Sequence, residues 1–133
     1  LTGGIMPLWD DYKREAQARG SLALELYVVV STPAKAPEML REQLPAHLEY
    51  QAEQEAAGVL GFAGPLSDRA GEQNRGEGMI IYRAQALDAA RAIAENDPMH
   101  QSGTRTFTIR RWLVNEGSLT LSVGLSTKSV TLS

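Results

Sequence analysis

The sequence predicts an α+β fold in a single domain, and three observations support this. The chain has 133 residues, which is close to the commonest domain length and sufficient for a buried core. Hydrophobic residues make up 43% and charged residues 22% of it, as in ordinary globular proteins. Segments of helical periodicity also alternate with short apolar segments that are typical of strands. We assign residues 1–133 to one domain, with its core at about 22–117, an N-terminal helix at 7–19 and a loose tail at 126–133.

The core is preceded by an amphipathic helix and begins with a central strand. Leu8–Arg19 contains mixed-charge helix formers with aromatic residues on one face, and Gly20 marks the helix end. Leu22–Val30 is apolar on both parities, which is typical of a strand covered on both faces. Glu25 lies in this strand on the parity that we assign to a dimer-facing side. Because a buried carboxylate needs a partner, we expect it to form an ion pair with an arginine.

A long helix and a short strand come next. The pattern from Ala36 to Ala57 is helical, but Pro45 lies inside it, so the helix either bends there or restarts with the proline in its first turn. Val59–Ala63 is predicted to be a short strand that the dipeptide Gly64-Pro65 breaks. The polar, glycine-rich residues 67–78 should then form a mobile loop.

The second half of the chain is predicted to contain a strand, a helix and two further strands. Met79–Arg83 is the first of these strands, and Ala86–Glu95 is a helix that ends at Asp97-Pro98. Thr106–Leu113 alternates between apolar and polar residues, as a strand does. A second alternating segment, Leu119–Val123, should pair with it as a hairpin.

The order β-α-β-β-α-β is that of a ferredoxin-like sandwich, here with an added N-terminal helix and an added C-terminal strand. Both helices of such a sandwich cover the same face of the sheet. Because the central strand is apolar on both faces, the second face also needs cover. We therefore predict a homodimer packed sheet to sheet.

The charge balance and the lack of cysteine exclude several classes of function. Thirteen basic against sixteen acidic residues give a net charge of -3, which disfavours binding to nucleic acid or to an anionic membrane. The chain has no cysteine, so disulfides and thiolate metal ligands are excluded and a reducing compartment is permitted. The longest apolar segment is too short to cross a bilayer and follows no basic segment, so we predict a cytoplasmic protein.

His47 and Asp97 are the residues with the clearest potential for chemistry. His47 shares one face of the long predicted helix with Leu44 and Leu48, so its ring should lie between helix and sheet. A carboxylate beside such a ring would fix its tautomer and raise its basicity, which is what proton transfer requires. Asp97, at the end of the next helix, is the candidate. The alternative is a half-buried structural histidine and an aspartate that only ends a helix.

Five short motifs occur along the chain in a characteristic order. They are a helix that carries His, a glycine before a short strand, a Gly-Pro loop, a helix that ends in Asp-Pro, and a last strand that leads to Trp. The motifs lie at residues 44–50, 55–60, 63–66, 96–98 and 110–112. In this combination the chain resembles the YCII-related family, and the resemblance extends over about Leu22–Gly117.

The resemblance implies a ferredoxin-like fold that assembles as a dimeric α/β barrel. It also implies a His-Asp active site, with His47 as general base or acid and Asp97 as its orienting partner. The cleft would be lined by residues near Gly64 and Pro65 and by the end of the second helix. One branch that resembles the family removes chloride from a chlorinated hydroxyquinol, and muconolactone isomerases share the wider fold. Proton transfer on a small ring compound is the function that this resemblance implies.

Two further positions are candidates for substrate binding. His100 lies just after Asp97, but the sequence contains no metal-binding spacing, so we predict no metal site and place His100 at the cleft or in solvent. Arg110 and Arg111 lie on opposite faces of one strand, so at most one of them can point into a cleft. We choose Arg111, whose guanidinium could hold a substrate carboxylate.

The sequence leaves two functions open. The first is a cofactor-independent lyase, isomerase or dehydrochlorinase-like enzyme, in which His47 moves a proton on a small molecule. The second is a non-catalytic homodimer that binds a small metabolite or acts as an accessory protein. The enzyme hypothesis requires His47 and Asp97 to lie within hydrogen-bonding distance and to open onto a pocket. A cofactor-free monooxygenase is compatible with a barrel fold, but no feature of the sequence favours it.

Overall fold

The computed structural model describes residues 6–132 of the chain, so residues 1–5 and 133 of the assigned domain lie outside the description. The helices in the described part are α1 (Trp9–Ala18), α2 (Pro37–Ala56), α3 (Leu87–Glu95) and α4 (Pro98–Gln101). The strands are β1 (Leu24–Pro33), β2 (Leu60–Ser67), β3 (Asn74–Tyr82), β4 (Arg105–Val114), β5 (Leu121–Val123) and β6 (Val130–Leu132). The chain divides into two compact units, one formed by Glu25–Trp112 and the other by the residues on either side.

The larger unit contains a four-stranded sheet in the order β2-β3-β1-β4. Strand β3 is one of the two inner strands and runs antiparallel to both of its neighbours. Its residue Ile80 lies opposite Val29 of β1 and opposite Ala63 of β2. Together with α2 and α3, this order is that of the ferredoxin-like sandwich that the sequence predicts.

The core of this unit lies between the sheet and its helices. It consists of Val29, Ile80, Tyr82 and Ala94, and partly buried residues such as Phe107 pack against it. The odd-numbered residues of β1 therefore face the helices. Our assignment of the parity of Glu25 to a dimer-facing side is wrong, because both parities of this strand are apolar and the pattern alone cannot distinguish its two faces.

The predicted ion pair of Glu25 is confirmed. The guanidinium of Arg111 donates to Oε1 of Glu25, with an Nη2 to Oε1 distance of 2.8 Å. The hydroxyl of Tyr27 donates to the other carboxylate oxygen at 2.6 Å. Burial, and then this contact with Glu25, raises the pKa of Tyr27 to about 12.

Strands β2 and β3 are longer than predicted. Strand β2 continues through Gly64 and Pro65 to Ser67, and β3 already begins at Asn74, so the predicted loop is reduced to residues 68–73. The pairing of β2 shifts register between Leu60 and Phe62 and again after Pro65. A proline is tolerated there because β2 is an edge strand, whose outer N–H groups need no partner in the sheet. The dipeptide Gly64-Pro65 therefore does not break the strand.

Helix α2 runs without interruption from Pro37 to Ala56, so Pro45 lies within it and does not start a new helix. A proline inside a helix removes one backbone donor, and the ring is tolerated here on the exposed side. No helix in residues 6–132 has the length and apolar character that a membrane span requires.

The smaller unit contains α1 and a two-stranded sheet. Ala16 of α1 is buried with Ala23 and Leu113, and the aromatic residues Trp9 and Tyr12 pack against this cluster. Strand β5 pairs with β6, and not with β4 as predicted. In the turn, the N–H of Gly124 donates to the carbonyl of Ser129 and the N–H of Lys128 donates to the carbonyl of Gly124. This turn brings β6 back along β5, so residues 130–132 form a strand within the predicted loose tail.

Candidate active site

His47 lines a cavity of about 340 Å³ within the larger unit. This volume is in the range of pockets that bind small molecules. The predicted helical face is confirmed, because Leu44, Leu48 and Gln51 of α2 line the cavity beside His47. The sheet contributes the opposite wall, and its lining residues are Ser31, Ala63, Gly64, Pro65, Asn74, Gly76, Glu77, Gly78, Met79, Ile80 and Arg105.

The ring of His47 is bound to the carboxylate of Asp97. Its Nδ1 lies 2.9 Å from Oδ1 and 2.8 Å from Oδ2 of Asp97. The side chain of His47 is 17% exposed, whereas that of Asp97 is completely buried. Oδ1 of Asp97 also accepts a hydrogen bond from the backbone N–H of Met99 at 3.0 Å, which caps the short helix α4. Asp97 therefore ends one helix, begins the next and holds the His47 ring.

This contact determines which nitrogen of the neutral His47 ring carries the hydrogen. A carboxylate accepts hydrogen bonds and does not donate them, so Nδ1 carries the proton. The lone pair is then on Nε2, for which the residues described offer no hydrogen-bond partner. A histidine oriented through Nδ1 and exposed to a cavity through its other nitrogen is suited to proton transfer.

Two tyrosines lie close to the buried carboxylate of Asp97. Burial, followed by the negative charge of Asp97, raises the pKa of Tyr82 and that of Tyr50. The hydroxyl of Tyr50 donates to the backbone carbonyl of Ile93 at 2.7 Å, and the hydroxyl of Tyr82 is buried without a partner in the described structure. Both hydroxyls stay neutral near pH 7, so they add no further charge beside Asp97.

A second polar group lies in the sheet wall. Nε of Arg105 donates to the hydroxyl oxygen of Ser31 at 2.8 Å, and Nη2 donates to the carbonyls of Ser31 and Gly76. The Ser31 oxygen is also 2.7 Å from Nε2 of His100. The other nitrogen of His100, Nδ1, lies 2.8 Å from the carbonyl of Ala94. Ser31 thus connects Arg105, which lines the cavity, to His100, which does not.

Of the four predicted binding residues, two line the cavity and two do not. Gly64 and Pro65 line the cavity beside His47. His100 is not in its lining and reaches the cavity only through Ser31. Arg111 does not line it either, because its side chain is bound to Glu25, and the choice of Arg111 is corrected. Arg105, six residues earlier on the same face of β4, occupies the cavity wall.

Sequence reasoning missed Arg105 and Ser31. Arg105 begins β4 and Ser31 lies two residues before the end of β1, and they share the parities of the core residues Phe107 and Val29. Alternate residues of a strand point to the same face. A polar residue near the end of a strand, in line with its core residues, is therefore the signal that could have identified them. Among residues 6–132, no group of three or more His, Asp or Glu side chains could hold a metal ion.

Fold and cavity together define a class: ferredoxin-like α+β proteins with a His–Asp pair at a pocket of small-molecule size. Comparison with protein families then identifies the chain more closely. The model of the YCII-related domain matches residues 25–113, which is more than half of the sequence. The chain belongs to the YCII-related family.

Comparison with solved structures supports the same fold. The chain is similar to 5-chloro-2-hydroxyhydroquinone dehydrochlorinase (TftG) from Burkholderia phenoliruptrix AC1100, in a complex with 2,5-dihydroxybenzoquinone. The match has a TM-score of 0.53 and 21% sequence identity, and it covers 65% of this chain and 92% of the dehydrochlorinase. Among curated proteins, none is significantly similar to the sequence.

Proposed function

We propose that this protein is a small-molecule enzyme of the lyase or isomerase kind, in which His47 transfers a proton. The observation that carries this proposal is the contact between Nδ1 of His47 and the buried carboxylate of Asp97, at the edge of a cavity. A histidine held in this way presents Nε2 as the general base, and Asp97 stabilises the imidazolium that forms.

The proton transfer itself is carried out by those two side chains. In the lyase direction, Nε2 accepts a proton from the substrate, and the electron pair of the broken bond expels a leaving group such as chloride from the neighbouring atom. In the isomerase direction, the imidazolium returns the same proton to a different atom of the substrate. Both steps pass through a protonated His47 whose charge is balanced by Asp97.

Small ring compounds are the proposed substrates. The cavity of about 340 Å³ accommodates one substituted ring, and the wall from α2 is partly apolar because Leu44 and Leu48 contribute to it. The similar dehydrochlorinase acts on a chlorinated hydroxyhydroquinone and was solved with a dihydroxybenzoquinone. We therefore extend the dehydrochlorinase-like chemistry to this chain as a proposal, although fold similarity alone does not transfer an activity.

A screen with chlorinated hydroxyhydroquinones and small lactones tests the proposal. Chloride release and ultraviolet spectra would be measured for the wild type, for His47→Gln and for the control Glu49→Gln, an exposed residue of the same helix. We expect turnover in the wild type and in the control, and a loss of about a hundredfold or more in His47→Gln. Turnover that survives His47→Gln would contradict the proposal. Ligand binding without turnover, unaffected by His47→Gln, would instead support the non-catalytic binding protein.

We also propose that the protein is a homodimer, packed through the sheet face opposite the helices. Phe62 pairs with Ile81 in the sheet, and its side chain is 54% exposed. Trp112, on the outward parity of β4, is 40% exposed. Large apolar side chains on one open sheet face favour association with a second copy. The cytoplasmic location expected from the sequence stays a prediction.

A further inference from the structure

Arg105 is a cation that faces the cavity without an acidic partner. Its hydrogen bonds within residues 6–132 are all with uncharged oxygens, namely the hydroxyl and carbonyl of Ser31 and the carbonyl of Gly76. Glu77 also lines the cavity, but it is exposed and forms no ion pair with Arg105 in the described structure. A partly buried guanidinium without a carboxylate is a favourable place for an anion.

Only part of the hydrogen-bonding capacity of Arg105 is used. Nε and Nη2 are occupied, whereas Nη1 has no hydrogen bond with the residues described. Burial lowers the pKa of Arg105, and the charge of Asp97 opposes this. An arginine nevertheless stays protonated in proteins, so its positive charge and its open donors are available in the cavity.

The orientation of the guanidinium is fixed by a chain of hydrogen bonds. The carbonyl of Ala94 can only accept, so Nδ1 of His100 carries the proton and Nε2 accepts from the Ser31 hydroxyl. The Ser31 oxygen is then left with lone pairs, one of which accepts from Nε of Arg105. The ring of His100 is held further by Phe107, with 4.7 Å between the ring centroids.

We propose that Arg105 binds the oxyanion of a small planar substrate, either a carboxylate or a phenolate, while Ser31 and His100 act as positioning residues for the guanidinium. The inference rests on the proposed function, because Arg105 and His47 line the same cavity. Removal of a proton by His47 leaves an electron pair on the substrate, and delocalisation moves this charge onto an oxygen. A fixed guanidinium at that oxygen stabilises the charge as it develops.

Binding of simple anions tests this site without turnover. Benzoate serves as the carboxylate probe and 4-chlorophenol, titrated above its ionisation, as the phenolate probe. Benzamide and anisole are their uncharged counterparts. We expect at least one anion to shift the ¹⁵N-coupled Nε–H signal of Arg105 in the wild-type protein, with little effect from its uncharged counterpart. If neither anion binds, or if charged and uncharged probes shift this signal equally, the inference is wrong.

Variants separate the roles within the site. Arg105→Gln should weaken binding of the effective anion by about tenfold or more, whereas Arg91→Gln, at an exposed position of α3, should not. Arg105→Lys should restore part of the affinity, because it keeps the charge and loses the planar fork. Ser31→Ala should speed hydrogen exchange of the Arg105 Nε–H, which loses its acceptor. It should also weaken anion binding when Arg105 is present but not in Arg105→Gln, a dependence that a merely structural role of Ser31 would not produce. Equal affinity in Arg105→Gln and wild type would overturn the inference.

The outcomes also separate this inference from the proposed function. Anion binding that depends on Arg105, in a protein without His47-dependent turnover, would support the anion site and contradict the proposed enzyme. Turnover that depends on His47 but is unaffected by Arg105→Gln would support the proposed enzyme and contradict the anion site.

Discussion

Asp97 serves the fold and the site at the same time. Its carboxylate is completely buried, and its partners are the ring of His47 and the backbone N–H of Met99. A buried carboxylate is tolerated only when its oxygens are satisfied, and here a helix cap and an imidazole satisfy them. Asp97 therefore caps a helix and contacts His47 at the same time, so the two features that the sequence presented as alternatives occur together, and the active-site role of the pair stays a proposal.

His100 should make the stability of the protein depend on pH. Burial lowers its pKa below the unfolded value of about 6.5, and Arg105 and His47 add to this, while the Ala94 carbonyl and Asp97 oppose it. Below this value the unfolded chain binds more protons than the folded one, so the free energy of unfolding falls as the pH decreases. Urea denaturation at about pH 7.5 and about pH 5.5 should show a smaller pH effect in His100→Gln than in wild type. An identical pH effect in both would contradict this assignment.

The strands show what a sequence pattern can and cannot predict. The alternation in β4 is confirmed by its burial, because the helix-facing and the exposed residues follow each other as expected. The sequence predicts too short a strand β2 because Gly64-Pro65 is a strong turn signal. The strand continues because it lies at the edge of the sheet, where a proline leaves no partner unsatisfied, and the local sequence does not reveal this position. The prediction that β5 pairs with β4 is wrong, because β5 pairs instead with β6, the segment that follows it after a turn.

Gly76 is the position in β3 where the backbone itself supports the site. Its φ is +91°, and a Cβ there would lie 2.7 Å from Cγ of Pro33. Gly76→Ala should therefore lower the free energy of unfolding by about 1–2 kcal/mol or more, because both the left-handed conformation and the close contact are unfavourable. The control is Gly64→Ala in the neighbouring strand, where no atom lies within 4 Å of the added Cβ and φ is not positive.

Urea denaturation of the two variants gives the comparison. An equal loss in Gly76→Ala and Gly64→Ala would show that Pro33 and the backbone of β3 adjust without cost. Because the carbonyl of Gly76 accepts from Arg105, the Arg105 Nε–H signal should also move in Gly76→Ala alone.

The candidate site could be predicted only in part. His47 and its neighbours on α2 follow from helical spacing, and Asp97 follows from its place at the end of the second predicted helix, while their roles as an active-site pair come from the resemblance to the family. Arg105 could not be chosen over Arg111, since both lie on the same face of β4 and only the position of Glu25 determines which one is bound elsewhere. Such a distinction depends on contacts between strands that are distant in sequence.

At the scale of the whole molecule, the open sheet face is the feature that most requires explanation. Val28 and Phe62 are placed on this face because both pair with Ile81 in the sheet, although Ile81 itself is buried within the single chain. Light scattering during size-exclusion chromatography should therefore give twice the mass of one chain. Phe62→Asp should shift the protein towards the monomer, because a charge would be buried at the interface. Met39→Asp, at an exposed position of α2, should leave the dimer intact. A monomeric wild type, or a Phe62→Asp variant that stays dimeric, would contradict the proposed assembly.

The central claim is that Asp97 holds His47 with its proton on Nδ1 and its lone pair on Nε2. The ¹⁵N chemical shifts of the two ring nitrogens, measured near neutral pH in wild type and in Asp97→Asn, test it most directly. We predict the Nδ1–H tautomer in the wild type. In Asp97→Asn the population should shift towards Nε2–H, because the amide can turn an N–H towards Nδ1. A wild-type ring with its proton on Nε2, or the same tautomer in both proteins, would show that Asp97 does not orient His47.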